Sequence, residues 1–327
     1  MRSNLIILLL ACALAITTYA QDNPAPSINI GDPAPALQLR AWLKGKPIRQ
    51  FERGKTYVLE FWATWCRPCI ASLPHLSAIA REYKDKVTIM AIDIHEKRTT
   101  PIAKIKAFVD SMGQRMDFVV ASEDSDFMEN GWLKSTGGTG IPATIVVNEE
   151  GRLAWIGYPT QLDTVLPKIV NHTWDIRTAL AKRTLRRYLD NLDDSLGYEM
   201  ANYTIDPKKE DSVLIVIDQI TSREPRLKYM PRIGLVTFRA LLKKDPSAAY
   251  RFGKEFLAAS TLDEPTDYLI FSNVEEFSNN PNLPKEIYRL GAEAYQVKID
   301  RSPFPELLDL PDIYHKMAAL YYRAGDR

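Results

Sequence analysis

Cysteine and histidine are scarce in this chain. Its 327 residues include three cysteines, Cys12, Cys66 and Cys69, and four histidines scattered at positions 75, 95, 172 and 315. A structural zinc site takes four ligands, so a metal centre around Cys66 and Cys69 lacks the partners it needs. A disulfide-stapled scaffold is excluded by the same shortage. Charge of one sign is also missing, because 42 Lys and Arg stand against 41 Asp and Glu for a net charge of +1. That balance carries no electrostatic footprint for nucleic acid. Beyond the first twenty residues no apolar run approaches the ~20 residues of a membrane span. What is there, 46% hydrophobic and 25% charged residues, suits an ordinary globular protein of about two domains.

Residues 1–20 have a different character. Arg2 supplies a positive start, Leu5 to Ile16 is an uncharged apolar run, and Thr18-Tyr19-Ala20 has the small-x-small form of a cleavage site. This is a secretory signal peptide removed after Ala20, and it predicts an extracytoplasmic protein of the periplasm or cell envelope. An alternative is carried by Leu9-Leu10-Ala11-Cys12, which resembles a lipobox and would anchor the chain as a lipoprotein through Cys12. After cleavage at Ala20 only Cys66 and Cys69 are left. Residues 21–36 are proline-rich and without periodicity, an extended lead-in.

The stretch with the most chemical content is Tyr57-Val58-Leu59-Glu60-Phe61-Trp62-Ala63-Thr64-Trp65-Cys66-Arg67-Pro68-Cys69. It reads as a buried strand running into a helix that opens with a Cys-x-x-Cys pair. Two cysteines at that spacing can close a small disulfide. The first sits where free N–H groups and the positive end of the helix dipole favour a thiolate. Such a pair carries out thiol–disulfide exchange.

Around this stretch the pattern predicts an α/β domain over 37–172. Short strands at Leu37 to Leu39 and Ala41 to Leu43, a turn at Lys44-Gly45-Lys46-Pro47 and a return over Ile48 to Phe51 suggest an N-terminal hairpin. A helix from Cys69 to Tyr83 with Pro74 inside, a strand Val87 to Asp93, and a helix to Met112 started by Thr99-Thr100-Pro101 follow. Then come a strand Phe118 to Ala121, a short helical piece 127–133, a hairpin of Ala143 to Asn148 with Leu153 to Gly157, and a closing helix from Asp163. This order gives a mixed sheet with helices on its faces. Over 173–327 strand patterns nearly vanish. Helical spacing recurs at 176–193, 212–222, 231–243, 246–259, 284–298 and 311–323, a second, all-helical domain that suggests a stack of hairpins. Val213 to Ile217 fits helix or strand.

Trp62-Ala63-Thr64-Trp65-Cys66-Arg67-Pro68-Cys69 resembles the thioredoxin superfamily. With the secretory start and Gly31-Asp32-Pro33-Ala34-Pro35 it is similar to the TlpA/ResA-like branch of thiol–disulfide reductases, over about Gly31 to Val170. Pro74 matches the family's helix proline, Ile141-Pro142 its cis-proline loop, and Glu60 the position of its buried acid, which is often Asn in the TlpA-like branch. The resemblance implies a thioredoxin-like fold, with Cys66 as attacking and Cys69 as resolving thiol of a redox-active disulfide and Glu60 as the proton relay. Glu60 is the one charged residue of an apolar strand, where burial would raise its pKa; otherwise it is a strand-end residue reaching water. Arg67 would assist the Cys66 thiolate or be a solvated surface residue, and Pro68 leans the pair toward reduction. Trp65, Arg67, Pro68, Ile141 and Pro142 would form the substrate surface, although Trp65 and Ile141 could also be core.

No cofactor motif is present. Gly137-Gly138-Thr139-Gly140 precedes a strand and lacks the Lys-Ser/Thr of a phosphate loop. The expected partners are a disulfide-bearing protein substrate, by resemblance apo-cytochrome c among them, and a membrane thiol reductant as electron donor. A peroxiredoxin-like thiol peroxidase is the enzymatic alternative, but its Pro-x-x-x-Thr-x-x-Cys would need Pro and Thr where Leu59 and Ala63 stand. A docking or scaffold role through the helical half, binding another protein, is the non-enzymatic one.

Overall fold

The computed structural model describes residues 27–97, 99–123, 125–205, 212–261, 265–278 and 283–326. The signal-peptide and Cys12 readings, and the start of the lead-in, lie outside these residues. The chain divides into two compact units, with the break between Thr184 and Leu185.

The first unit is built on one six-stranded sheet. Its strands are β1 (Leu39–Lys44), β2 (Thr56–Trp62), β3 (Val87–Asp93), β4 (Val119–Glu123), β5 (Ala143–Val147) and β6 (Leu153–Gly157), in the order β1-β4-β3-β2-β5-β6. β2 pairs in parallel with β3 and antiparallel with β5. Every residue of β2 is buried, as expected of an apolar strand covered on both faces. Val58 and Trp62 join the cluster that contains Cys66, Cys69 and Leu73, while Tyr57, Leu59 and Phe61 join the opposite one with Met90 and Trp132. The two-residue alternation of a strand thus sorts its side chains between two half-cores.

The helices of this unit are α1 (Arg67–Glu82), α2 (Ile102–Met112) and α3 (Leu162–Val170). Pro74 lies inside α1. Two expectations are corrected. The N-terminal hairpin does not form: β1 pairs antiparallel with β4 through two register shifts, while Ile48 and Phe51 pack into the apolar cluster under β2 instead of returning as a strand. Burying those two side chains outweighs a local ladder. Likewise α2 starts one residue after Pro101, which is its N-cap and makes no side-chain cap bond, so no threonine hydroxyl caps it. The piece expected at 127–133 is a single π-type turn, Glu129–Lys134. The β5–β6 turn is held by Asn148, whose Oδ1 accepts from the Glu150 and Arg152 amides, with Gly151 at φ 74°, where a side chain would be strained.

Helix α4 (Ile176–Ile205) runs across the break at 184/185, well past its expected end at 193. The second unit continues with α5 (Val213–Arg223), α6 (Pro231–Lys244), α7 (Pro246–Ala258), α8 (Asp267–Phe277), α9 (Lys285–Arg301) and α10 (Leu310–Ala324). The ambiguous Val213 to Ile217 is helix, and α8 was not anticipated. Successive helices pack on one another, α6 on α7 and α9 on both α8 and α10. Close approach is enforced at Gly234, where a Cβ would stand 2.5 Å from the Phe256 ring. The N-terminus of α6 is capped from α4: Asp193 accepts from the Arg232 and Ile233 amides at 2.9 and 2.8 Å, satisfying two of the free N–H groups of a helix start.

Candidate functional site

The site lies at the C-terminal end of β2, the end of the sheet where open α/β folds place their chemistry. Ala63-Thr64-Trp65 leads from the strand to Cys66, the N-cap of α1. Cys66 and Cys69 are joined by a disulfide with sulfurs 2.03 Å apart. Cys66 Sγ also accepts from the Cys69 amide at 3.3 Å. A sulfur in that place meets a free amide in the first turn of the helix, which stabilises it as a thiolate once the disulfide opens. Of the pair Cys66 is 4% exposed and Cys69 fully buried, so substrate can approach only the first. Arg67 and Pro68 are exposed on the first turn.

Trp65 is 57% exposed. It is surface and not core, whereas Trp62 is core. Ile141 and Pro142 are half-buried; the peptide between them is cis, and Ile141 packs against the cluster that holds both cysteines. The preceding Gly137 ends a turn over 135–137. His75 pairs with Asp163 at 3.1 Å on the flank of α1, which leaves it a structural partner of α3.

Glu60 is completely buried, which removes the reading of a strand-end residue reaching water. It shares its face of β2 with Val58 and Trp62, the face covered by the cluster of Cys66, Cys69 and Leu73. Its register partners are Ala91 on β3 and Thr144 on β5. Thr144 Oγ1 donates to Glu60 Oε2 at 2.5 Å, while Oε1 finds no donor among the described residues. Burial pushes the carboxyl up to about 8, against the pull of the Thr144 hydrogen bond. An acid so placed keeps its proton near neutrality yet can exchange it, as proton transfer to and from a buried thiol requires.

A second acid escaped the sequence reading. Asp93 ends β3 opposite Trp62, is 1% exposed, and is likewise raised to about 8, by burial first and then by the charge of Glu96. The signal that marked Glu60, one carboxylate in an apolar strand, was present there too. Thr144, Glu96 and His95 carried no such signal, because their importance comes from strands and loops brought together only by folding.

A mixed sheet with a Cys-x-x-Cys disulfide at a helix start after its central strand, and a buried acid on the same face, defines a thioredoxin-like dithiol protein. The Redoxin family model matches residues 29–169. The chain is 30% identical over 153 residues to the thiol-disulfide oxidoreductase ResA of Geobacillus thermodenitrificans, covering 46% of this chain and 82% of that one. To protein FixW of Rhizobium leguminosarum it is 31% identical over 154 residues, covering 46% and 70%. Among solved structures it is similar to a thiol-disulfide isomerase from Corynebacterium glutamicum, at 24% identity over 43% of this chain and 97% of that one, with a TM-score of 0.35. The chain belongs to the TlpA/ResA-like thiol–disulfide oxidoreductases of the thioredoxin superfamily, and it is a disulfide oxidoreductase.

Proposed function

We propose that this oxidoreductase works outside the cytoplasm and reduces disulfides in protein substrates. The observation that carries the mechanism is the fully buried Glu60 on the same sheet face as the Cys66–Cys69 pair. In the reduced protein the Cys66 thiolate attacks a substrate disulfide, forming a mixed disulfide and releasing one substrate thiolate. Cys69 then gives its proton to Glu60, in the ionised fraction that a carboxyl held at about 8 retains at neutral pH, and attacks Cys66 Sγ. The second substrate thiolate leaves, and the two electrons of the dithiol have passed to the substrate. Burial of Cys69 keeps the resolving step intramolecular.

The direction is supported by Pro68 between the cysteines, and the compartment by the pattern of residues 1–20. The family resemblance supports apo-cytochrome c among the substrates and a membrane thiol reductant as the electron source. Trp65, Arg67 and Pro68, all exposed, with Ile141 and Pro142, would form the surface on which an extended substrate segment lies. The helical unit would dock a further protein.

The test is the equilibrium reduction potential of the pair in the protein lacking residues 1–20, titrated against glutathione or dithiothreitol. A value near the ~−270 mV of thioredoxin supports a reductant, and one near the ~−120 mV of a strong oxidant reverses the direction. Cys69→Ser should trap the mixed disulfide with substrate.

A further inference from the structure

Three consecutive residues after β3 hold the segment that leads into the dithiol. The Ile94 amide donates to the Trp62 carbonyl at 2.9 Å. The Trp65 indole N–H donates to the His95 carbonyl at 3.1 Å. Thr64 donates twice to one oxygen, from its amide and its hydroxyl to Glu96 Oε1, at 2.7 and 2.6 Å. Two donors thus converge on one oxygen of the Glu96 carboxyl.

The bracket is itself braced. His95 has φ 60°, a conformation that residues with a side chain rarely adopt, and it places the His95 carbonyl and the Glu96 carboxyl toward the same loop. Its ring is fixed by Glu129 at 3.1 Å, and Glu129 is in turn paired with Lys134. Asp93 ends β3 three residues before Glu96, and the charge of Glu96 adds to the burial that pushes the Asp93 carboxyl up. Asp93 Oδ2 accepts from Ser122 at 3.2 Å, and Oδ1 faces no donor among the described residues. Glu123 at the end of β4 also acts on Asp93, and uncharged Trp62 is its register partner on β2.

We propose that Glu96 is a positioning residue for the attacking thiol: it holds Thr64, and through Thr64 the turn that presents Cys66 at the start of α1. The hydrogen bonds of this bracket are made to Trp62, Thr64 and Trp65 and not to the sulfurs. Its effect is to keep Cys66 Sγ against the helix amides after the disulfide opens, when the covalent tie to Cys69 is gone. The proposal rests on thiol–disulfide exchange at Cys66 and not on its direction.

The experiment compares Glu96→Ala, Glu96→Gln, Thr64→Val and Thr64→Val/Glu96→Ala in the reduced full-length protein. Alkylation of Cys66 by iodoacetamide is followed from pH 4 to 9, with hydrogen exchange at the Thr64 amide read alongside. Glu96→Ala should lower the rate of Cys66 exchange with a disulfide about tenfold, as expected of a small misplacement, displace the alkylation midpoint upward, and unprotect Thr64. Glu96→Gln keeps an acceptor oxygen and should recover most of the loss. The double variant should be no slower than Glu96→Ala. Wild-type rate and midpoint in Glu96→Ala, a Gln variant as slow as the Ala variant, or losses that multiply in the double variant would each overturn the proposal. If Glu96→Ala does not fold, Thr64→Val decides alone: a two- to threefold loss (about 0.5 kcal/mol, on the order of a part-lost hydrogen bond) supports it, and no loss rejects it. A wild-type protein that reduces no protein disulfide, with an alkylation midpoint that still responds to Glu96, would sink the assigned direction and leave the bracket standing.

Discussion

Thr144 and Glu60 face each other across β5 and β2, and the 2.5 Å bond from the threonine hydroxyl is the one hydrogen bond that the buried carboxyl makes among the described residues. Burial raises the acid on the dithiol's face of the sheet, and the register supplies the one bond that opposes that rise. Glu60→Gln keeps the shape and removes the titration. We expect exchange with a protein disulfide to slow on the order of 10²-fold at pH 7, the low end for general acid–base catalysis. The inflection near pH 8 should vanish. Stopped-flow kinetics from pH 6 to 9 check both, and an unchanged profile would remove Glu60 from the mechanism.

Thr144→Val removes the hydroxyl at nearly constant volume. The carboxyl then loses its remaining donor, and leaving a buried polar group unsatisfied costs about 1–3 kcal/mol. Urea denaturation at pH 6 should show that loss. The kinetic inflection assigned to Glu60 should move upward, since the bond to Thr144 is what opposes the effect of burial.

Stability should fall as pH rises toward 8. Glu60 and Asp93 are both raised to about 8 in the folded protein, while in the unfolded chain they release their protons near 4. Between those limits the native state binds more protons than the unfolded state, so the free energy of unfolding declines with pH, and above about 8 the decline stops. Thermal melts of the oxidised protein at pH 5, 6, 7 and 8 should show decreasing midpoints, with a shallower slope in Glu60→Gln. A flat profile would mean that neither acid is raised.

In the helical unit, Asp193→Ala should cost about 1–2 kcal/mol by uncapping α6. Asp193→Asn, which keeps one acceptor oxygen, should recover part of it. Circular dichroism at 222 nm during thermal unfolding of the whole protein measures this, and exchange at Cys66 should be unaffected.

The strands, helices and dithiol around Cys66 were legible because each announces itself locally. An apolar run, a helical period and a Cys-x-x-Cys pair need no distant partner to be recognised. Even the burial of Glu60 could be inferred from its apolar neighbours. Pairings with remote partners could not. The β1 segment looked like half of a hairpin because its true partner, β4, lies some eighty residues away. α8 was missed because Tyr268-Leu269-Ile270-Phe271 is a continuous apolar run without a helical period. The long α4 continues through Asp193 and Asp194, which looked like a helix end, yet Asp193 is turned inward to cap α6. In the site, Thr144 and Glu96 are ordinary residues in the sequence and acquire their roles from register and loop contact alone.

The β5–β6 turn has a practical consequence. Because β5 runs antiparallel to β2, with Ala143 opposite Phe61 and Val147 opposite Tyr57, exposed Glu150 lies at the far edge of the sheet from Cys66, separated by the length of a strand, roughly 20 Å. A ligation tag inserted beside Glu150, with Gly151 retained, would let the protein be tethered to an electrode with its dithiol facing the solution. Voltammetry on such a film would then read the sulfur couple without the anchor interfering with it.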